Sequence, residues 1–183
     1  LEKFLQDCNN YKWDKSGYDF SYTEFIKYFD NIKVISKHNL IIGINFVYGR
    51  MPTIFDFRSN NFDQALVILN NAKKWLIPTI EELEILKWLF NNSIVGTSKL
   101  LHFINPEKFA IWDSRVYRYL IWRNNYNKIW NCKTYLSYLD FCNYLTQRKE
   151  YENIHKYICQ KKGYPMTKLR TAELIMFLNG GLN

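Results

Sequence analysis

Apolar residues recur at three- and four-residue spacing along nearly the whole chain, which predicts helices throughout and no sheet. Ser21-Tyr22-Thr23-Glu24 reads as a capping box that opens a helix carrying Phe25, Phe29 and Ile32 at helical spacing. Asn39 to Tyr48 is almost uninterrupted apolar sequence and reads as a central buried helix. Tyr48-Gly49-Arg50-Met51-Pro52-Thr53 then breaks the pattern. Phe62 to Trp75 follows, with Ala65, Leu66, Leu69 and Ala72 on one face. Pro78 and Thr79 start the next helix; Thr79 with Glu82 forms a second capping box, and Leu83, Leu86 and Phe90 make its inward stripe. Asn91-Asn92 suits a tight turn, Gly96 restarts a helix that runs to Ile104, and Asn105-Pro106 stops it. Further helices are expected over Asp113–Trp122, Thr134–Gln147, Tyr151–Lys161 and Thr167–Leu178, the last two separated by Gly163 and Pro165.

These elements specify an all-α fold, read as a two-lobed helical bundle with a helix–hairpin–helix near residues 79–105. Without an internal repeat or a low-complexity linker, residues 1–183 are expected to form a single domain with intertwined lobes. The first residue is Leu1, so the natural start is expected to lie upstream.

Composition narrows the partners. The chain carries a formal net charge of +8, and 18% of its residues are aromatic. That balance favours a polyanion, with nucleic acid ahead of a membrane surface. Cys8, Cys132, Cys142 and Cys159 form no C-x-x-C pair, and they read as reduced thiols of an intracellular protein that needs no metal or other cofactor. A cytoplasmic, nucleoid-associated monomer without a membrane span is expected.

The chemistry concentrates between Asn92 and Val116. A turn that leads into a helix presents free backbone N–H groups to an anion, and the amides of Thr97, Ser98 and Lys99 are expected there, with the Lys99 ammonium adding charge. Asp113 ends the apolar run Phe109-Ala110-Ile111-Trp112 and precedes a helix. An Asp at that position is an ordinary N-cap. Facing a cleft, it would also stabilise a cationic sugar and orient a water.

On these residues the chain resembles the helix–hairpin–helix DNA glycosylase superfamily. The likeness runs from Glu81 to about Leu120. Ser93-Ile94-Val95-Gly96 stands where that family has its Leu-Pro-Gly-Val-Gly hairpin. Ile111-Trp112-Asp113-Ser114-Arg115-Val116-Tyr117-Arg118 stands where the family has its catalytic Asp segment. The resemblance implies an enzyme that cleaves the N-glycosidic bond of a damaged, mismatched or modified base in double-stranded DNA, with the base flipped out. Asp113 is then the catalytic carboxylate, and Gly96, Thr97 and Ser98 anchor the strand. The departures are Ile94 in place of the first hairpin glycine, a shorter run from the helix to the Asp, and Ser98 where bifunctional members carry a Schiff-base lysine. Lys99 is the neighbour of that position and the second catalytic candidate.

A flipped base needs a pocket and a wedge. Tyr48, Arg50 and Met51 on the Gly- and Pro-bounded loop, Trp112 beside the carboxylate, and His102 on the second hairpin helix are the candidates. Arg115 and Arg118, three residues apart, are candidates for phosphate contact. They open an acid-free span from Ser114 to Leu139 that also holds Arg123, Lys128 and Lys133 among Tyr117, Tyr119, Trp122, Tyr126 and Trp130. A second basic group, Lys156, Lys161, Lys162, Lys168 and Arg170, reads as ordinary surface charge. Two other functions fit the same residues: a non-catalytic DNA-binding module that uses the hairpin for phosphate contact, and a helical protein–protein adaptor.

Overall fold

The computed structural model describes residues 2–10, 17–121 and 128–181. It is all-helical, with ten helices and no strand among those residues. The helices are α1 (Glu2–Asn10), α2 (Gly17–Asp30), α3 (Lys37–Tyr48), α4 (Phe62–Lys73), α5 (Ile80–Leu89), α6 (Ile94–Ile104), α7 (Ser114–Ile121), α8 (Cys132–Thr146), α9 (Tyr151–Lys162) and α10 (Lys168–Asn179). Two helices act as centres. Helices α2 to α5 pack around α6, whereas α1, α7, α8 and α9 pack around α10. Contact between α5 and α8 ties the two groups together.

Several helix starts are written in the sequence and appear as expected. Thr79 and Glu82 exchange both bonds of the capping box at α5, and Asn91 and Asn92 take φ of 60° and 53° in the turn that follows. Asparagine tolerates that left-handed geometry better than most residues. Four expected starts move. Helices α3 and α8 begin at Lys37 and Cys132, two residues ahead of Asn39 and Thr134, because Ser36 and Asn131 are the N-caps. Helix α2 runs straight through Ser21, whose hydroxyl accepts a bond from the Arg50 guanidinium instead of capping. The earlier start lets Tyr18 and Tyr22, one turn apart, extend the inward stripe toward Phe29. Helix α6 begins at Ile94 rather than Gly96, because Ser93 is the N-cap and its hydroxyl accepts the Gly96 N–H at 3.1 Å. The end expected for α7 at Trp122 lies outside the described residues, as do Leu1, Arg123 and Tyr126.

Helix α6 is apolar on almost every side, as a helix surrounded by others must be. Nine of its eleven residues are buried; Val95 and Lys99, one turn apart, are the exceptions. Gly96 is set by a close approach. A Cβ there would lie 2.6 Å from the Tyr48 hydroxyl oxygen and 2.9 Å from its ring. That hydroxyl is not free to swing away, since it donates to the Phe90 carbonyl at 2.8 Å. Gly96→Ala is therefore expected to destabilise the protein by about 1–3 kcal/mol through overpacking, measured as a lower urea midpoint with an unchanged m-value.

Candidate functional site

The segment from Asn105 to Asp113 lies alongside α6 and is fastened to it by side chains. Ser98 Oγ accepts the Trp112 N–H at 3.0 Å and also lies 3.1 Å from the Trp112 carbonyl. One turn further on, His102 Nδ1 lies 2.7 Å from the Phe109 carbonyl. A carbonyl only accepts, so Nδ1 carries the proton. The remaining nitrogen, Nε2, then accepts from the Tyr22 hydroxyl at 3.0 Å. Burial pushes His102 down to about 3, with the Arg170 charge adding to the effect, so the ring is neutral at physiological pH. Tyr135 and Tyr138 donate to the Ala110 and Ile111 carbonyls at 3.4 and 3.0 Å. The extended segment thus finds backbone partners without forming a strand.

This fastening delivers Asp113 beside Lys99. Asp113 is 9% exposed. Its Oδ1 accepts the N–H groups of Arg115 and Val116 at 2.9 and 3.0 Å and so caps α7. The residue also lines two cavities. One is an open groove of about 1040 Å³ whose charged lining residues are Arg58, Lys87, Lys99, Arg115 and Asp113. The other is an inner pocket of about 300 Å³ walled by Tyr18, Arg50, Lys99, Asp113, Arg170 and Glu173, among others. Asp113, Lys99 and Phe177 belong to both, so the two cavities adjoin at this carboxylate and this amine.

The inner pocket sets charged side chains beside the apolar walls of Ile111, Leu174, Phe177 and Leu178. Arg170 and Glu173, 3% and 1% exposed, form a buried ion pair within α10. Lys162 pairs with Asp19 at 3.2 Å, and the Tyr164 hydroxyl donates to Asp19 at 2.9 Å. The guanidinium groups of Arg50 and Arg170 lie 5.9 and 5.6 Å from the Tyr18 ring centroid. Burial pushes Glu173 up to about 7; the Asp113 charge adds to this, and Arg170 and Lys99 oppose it. Burial also lowers Lys99 from the usual lysine range, against the pull of the Asp113 and Glu173 carboxylates. Both shifts run toward the uncharged form, from the same cause: withdrawal from water.

The other sequence-predicted residues divide clearly. Tyr48 and Met51 line the groove and Arg50 lines the inner pocket. Arg115 is exposed on the groove with its guanidinium 4.8 Å from the Phe177 ring centroid. Arg118 turns away to donate to the Gly180 carbonyl at 2.9 Å. Gly96, Thr97 and Ser98 are buried inside α6. The Thr97 N–H is already bonded to the Ser93 carbonyl, so the expected cluster of free amides at Thr97, Ser98 and Lys99 does not form. Trp112 is buried and donates its indole N–H to the Ile129 carbonyl at 2.9 Å, and His102 is buried as described; neither lines the pocket. The C-terminal basic group also needs correction. Lys162 and Arg170 are buried ion-pair partners, whereas Lys156 and Lys168 make exposed pairs with Glu152.

Sequence reasoning passed over Tyr18, Asp19, Glu173 and Trp88. The signal for Glu173 was present: Arg170 and Glu173 sit at i,i+3 in a run where every residue from Leu169 to Met176 is buried. Among the described residues no group of three or more His, Cys, Asp or Glu side chains is placed to hold a metal ion. No family model matches the chain, and neither does any curated protein or solved structure.

His102 and Glu173 give stability opposite pH dependences. Below about 6.5 the unfolded chain binds a proton at His102 that the folded protein refuses, so stability falls with acid down to about 3. Between about 7 and 4.5 the folded protein holds a proton on Glu173 that the unfolded chain releases, so stability rises with acid. Over the shared window the two slopes, each about 1.4 kcal/mol per pH unit, nearly cancel. Glu173→Gln removes one of them. Relative to the parent, its unfolding free energy is expected to fall by about 1.4 kcal/mol for each pH unit of acidification across that window, read from urea titrations at several pH values.

Proposed function

We propose that this protein is a DNA N-glycosylase, an enzyme that releases a damaged, mismatched or modified base by cleaving its bond to deoxyribose. One observation carries the reading: a basic groove and a smaller pocket walled in part by charged side chains adjoin at a carboxylate and a half-buried lysine. In this reading the groove takes the strand and the inner pocket takes the extruded base. The sugar that joins them then sits against Asp113 and Lys99. The resemblance of the Asp113 segment to the glycosylase motif supports the same assignment.

The chemistry follows from the two side chains. As the C1′–N bond lengthens, its electron pair leaves with the base and positive charge develops on the sugar. The Asp113 carboxylate stabilises that charge at short range in a partly dry site. A water, or the Lys99 amine, then bonds to C1′ and loses a proton, while the departing base takes one up. Glu173, on the wall of the inner pocket, would supply the base's proton once that proton displaces its pairing with Arg170. Strand contact falls to Arg58 and Arg115, because Lys87 is paired with Glu84 and the amides first expected to hold phosphate are used inside α6.

Asp113→Asn is a discriminating variant. Asparagine caps a helix as well as aspartate does, so the fold is expected to survive. Base release from a panel of lesion-bearing oligonucleotides, read as alkali-labile sites, is expected to fall by at least about 100-fold with DNA affinity nearly unchanged. Release at the parent rate would remove Asp113 from the mechanism. Loss of release with binding retained in the parent itself would favour a non-catalytic DNA-binding module.

Lys99 has its own readout. Borohydride added to parent protein and an abasic-site oligonucleotide is expected to trap a covalent adduct that Lys99→Arg does not form. Such an adduct would give the enzyme a lyase step despite Ser98 standing at the family's lysine position.

A further inference from the structure

Two largely exposed indoles line the groove. Trp88, 53% exposed, comes from the outer face of α5, opposite the buried Leu83, Leu86 and Leu89. Trp130, 52% exposed, comes from the turn before α8, whose helix packs against α5. Large apolar rings left in water cost free energy, and two on one groove mark a surface that binds something. The charged residues lining the groove are Arg58, Lys87, Lys99, Arg115 and Asp113; Glu84 pairs with Lys87 at 2.7 Å, which leaves the Arg58 and Arg115 guanidinium groups as the groove's fixed positive charges. This excess of positive charge favours an anionic occupant over an apolar or basic-faced groove partner such as another helix.

A duplex gives such rings little to bind. Its bases are stacked on one another and show only their edges in the grooves, so an indole lying on the duplex meets phosphate and sugar. An unpaired strand offers base faces, and cations interleaved with exposed aromatic rings are the arrangement that holds one. We propose that Trp88 and Trp130 are stacking platforms for unpaired bases, and that the groove takes single-stranded DNA, or the unpaired stretch of a bubble or end, in preference to continuous duplex. The inference rests on reading the groove as a DNA surface and is independent of the chemistry at Asp113. Its consequence for the proposed enzyme is energetic. On an unpaired strand the base that enters the inner pocket has already lost its pairing, so extrusion costs less.

The test is binding, kept apart from catalysis by using lesion-free oligonucleotides of one sequence as single strand and as duplex, followed by fluorescence anisotropy. The single strand is expected to bind more tightly. Trp88→Ala and Trp130→Ala are each expected to weaken single-strand binding by about 5- to 100-fold, with a much smaller effect on duplex. Both positions are half in solvent, so the variants are expected to keep the parent's circular dichroism and urea midpoint, which are checked first. The salt dependence separates stacking from charge. The tryptophan variants should keep the parent's slope of log affinity against log salt, whereas Arg115→Ala should reduce it by about 0.7. Duplex binding equal to or tighter than single-strand binding, with both tryptophan variants unchanged, would overturn the stacking proposal while leaving the groove as a DNA surface. Binding of neither form at low salt would overturn both. Base release, measured separately on lesion substrates, bears on the glycosylase reading alone.

Discussion

Two side-chain hydrogen bonds to backbone hold the site in being: Ser98 to Trp112 and His102 to Phe109. They lie one helical turn apart on α6, in a dry interior where an unmade bond leaves a buried polar group unsatisfied at a cost of about 1–3 kcal/mol. An extended segment cannot pack against a helix by backbone pairing alone, because helix carbonyls and amides are already used. Short polar side chains aimed sideways from the helix solve this, and Ser98 and His102 are those side chains. Their register dictates that Asp113 emerges beside Lys99 and not one residue earlier or later. Neutrality of His102 is part of the same constraint, since a proton on Nε2 would take away the acceptor to which the Tyr22 hydroxyl now donates.

Around this frame the protein keeps charge where a stability argument would place apolar side chains. The Arg170–Glu173 and Lys162–Asp19 pairs are both largely withdrawn from water. Desolvating such groups costs several kcal/mol per ion, and substitution by well-packed apolar residues often stabilises a protein. Tyr18 and Tyr22 contribute ring faces to the Arg170 guanidinium, with the Tyr22 centroid 4.7 Å away. Stability alone does not explain two such pairs on the wall of one 300 Å³ pocket. Under the proposed base-excision activity, a pocket that reads a polar, planar ligand would account for them, because its donors and acceptors have to be fixed before the ligand arrives.

The fold class was legible because helical periodicity is local, and so were the α5 capping box and the Asn91-Asn92 turn. The start of α2 was misread because the Ser21 pattern is a true capping sequence overridden by the packing of Tyr18 and Tyr22, a tertiary effect. The start of α6 shifted by two residues because a serine at position 93 competes with a glycine at 96 for the role of helix opener, and the serine supplies an acceptor where glycine supplies only freedom. Those two residues decide the fate of the predicted amides. Asp113 and Lys99 were found from motif likeness and spacing, but their neighbours were not. Asp19 and Lys162 are 143 positions apart, and no local pattern joins them. Arg170 was taken for surface charge because a cation in a helix usually is; the apolar residues on every side of it were the sign of a buried helix.

The double duty of Asp113 links the bland reading of that residue to the functional one. A carboxylate that only caps a helix directs its oxygens at amides and needs no cavity. One that only serves chemistry on a loop would have to be held by its own packing. Here Oδ1 is fixed by two N–H groups of α7, while the residue borders both the groove and the inner pocket. Capping immobilises the side chain, and the start of a helix adds a favourable field for the carboxylate's negative charge. In the proposed enzyme the capping bonds would act as the support that positions a reactive group, so that a reacting sugar would not have to order it. The same geometry explains why the residue is almost buried without being sealed. A carboxylate needs enough water excluded around it to act strongly on a developing cation, and enough opening for that cation to reach it.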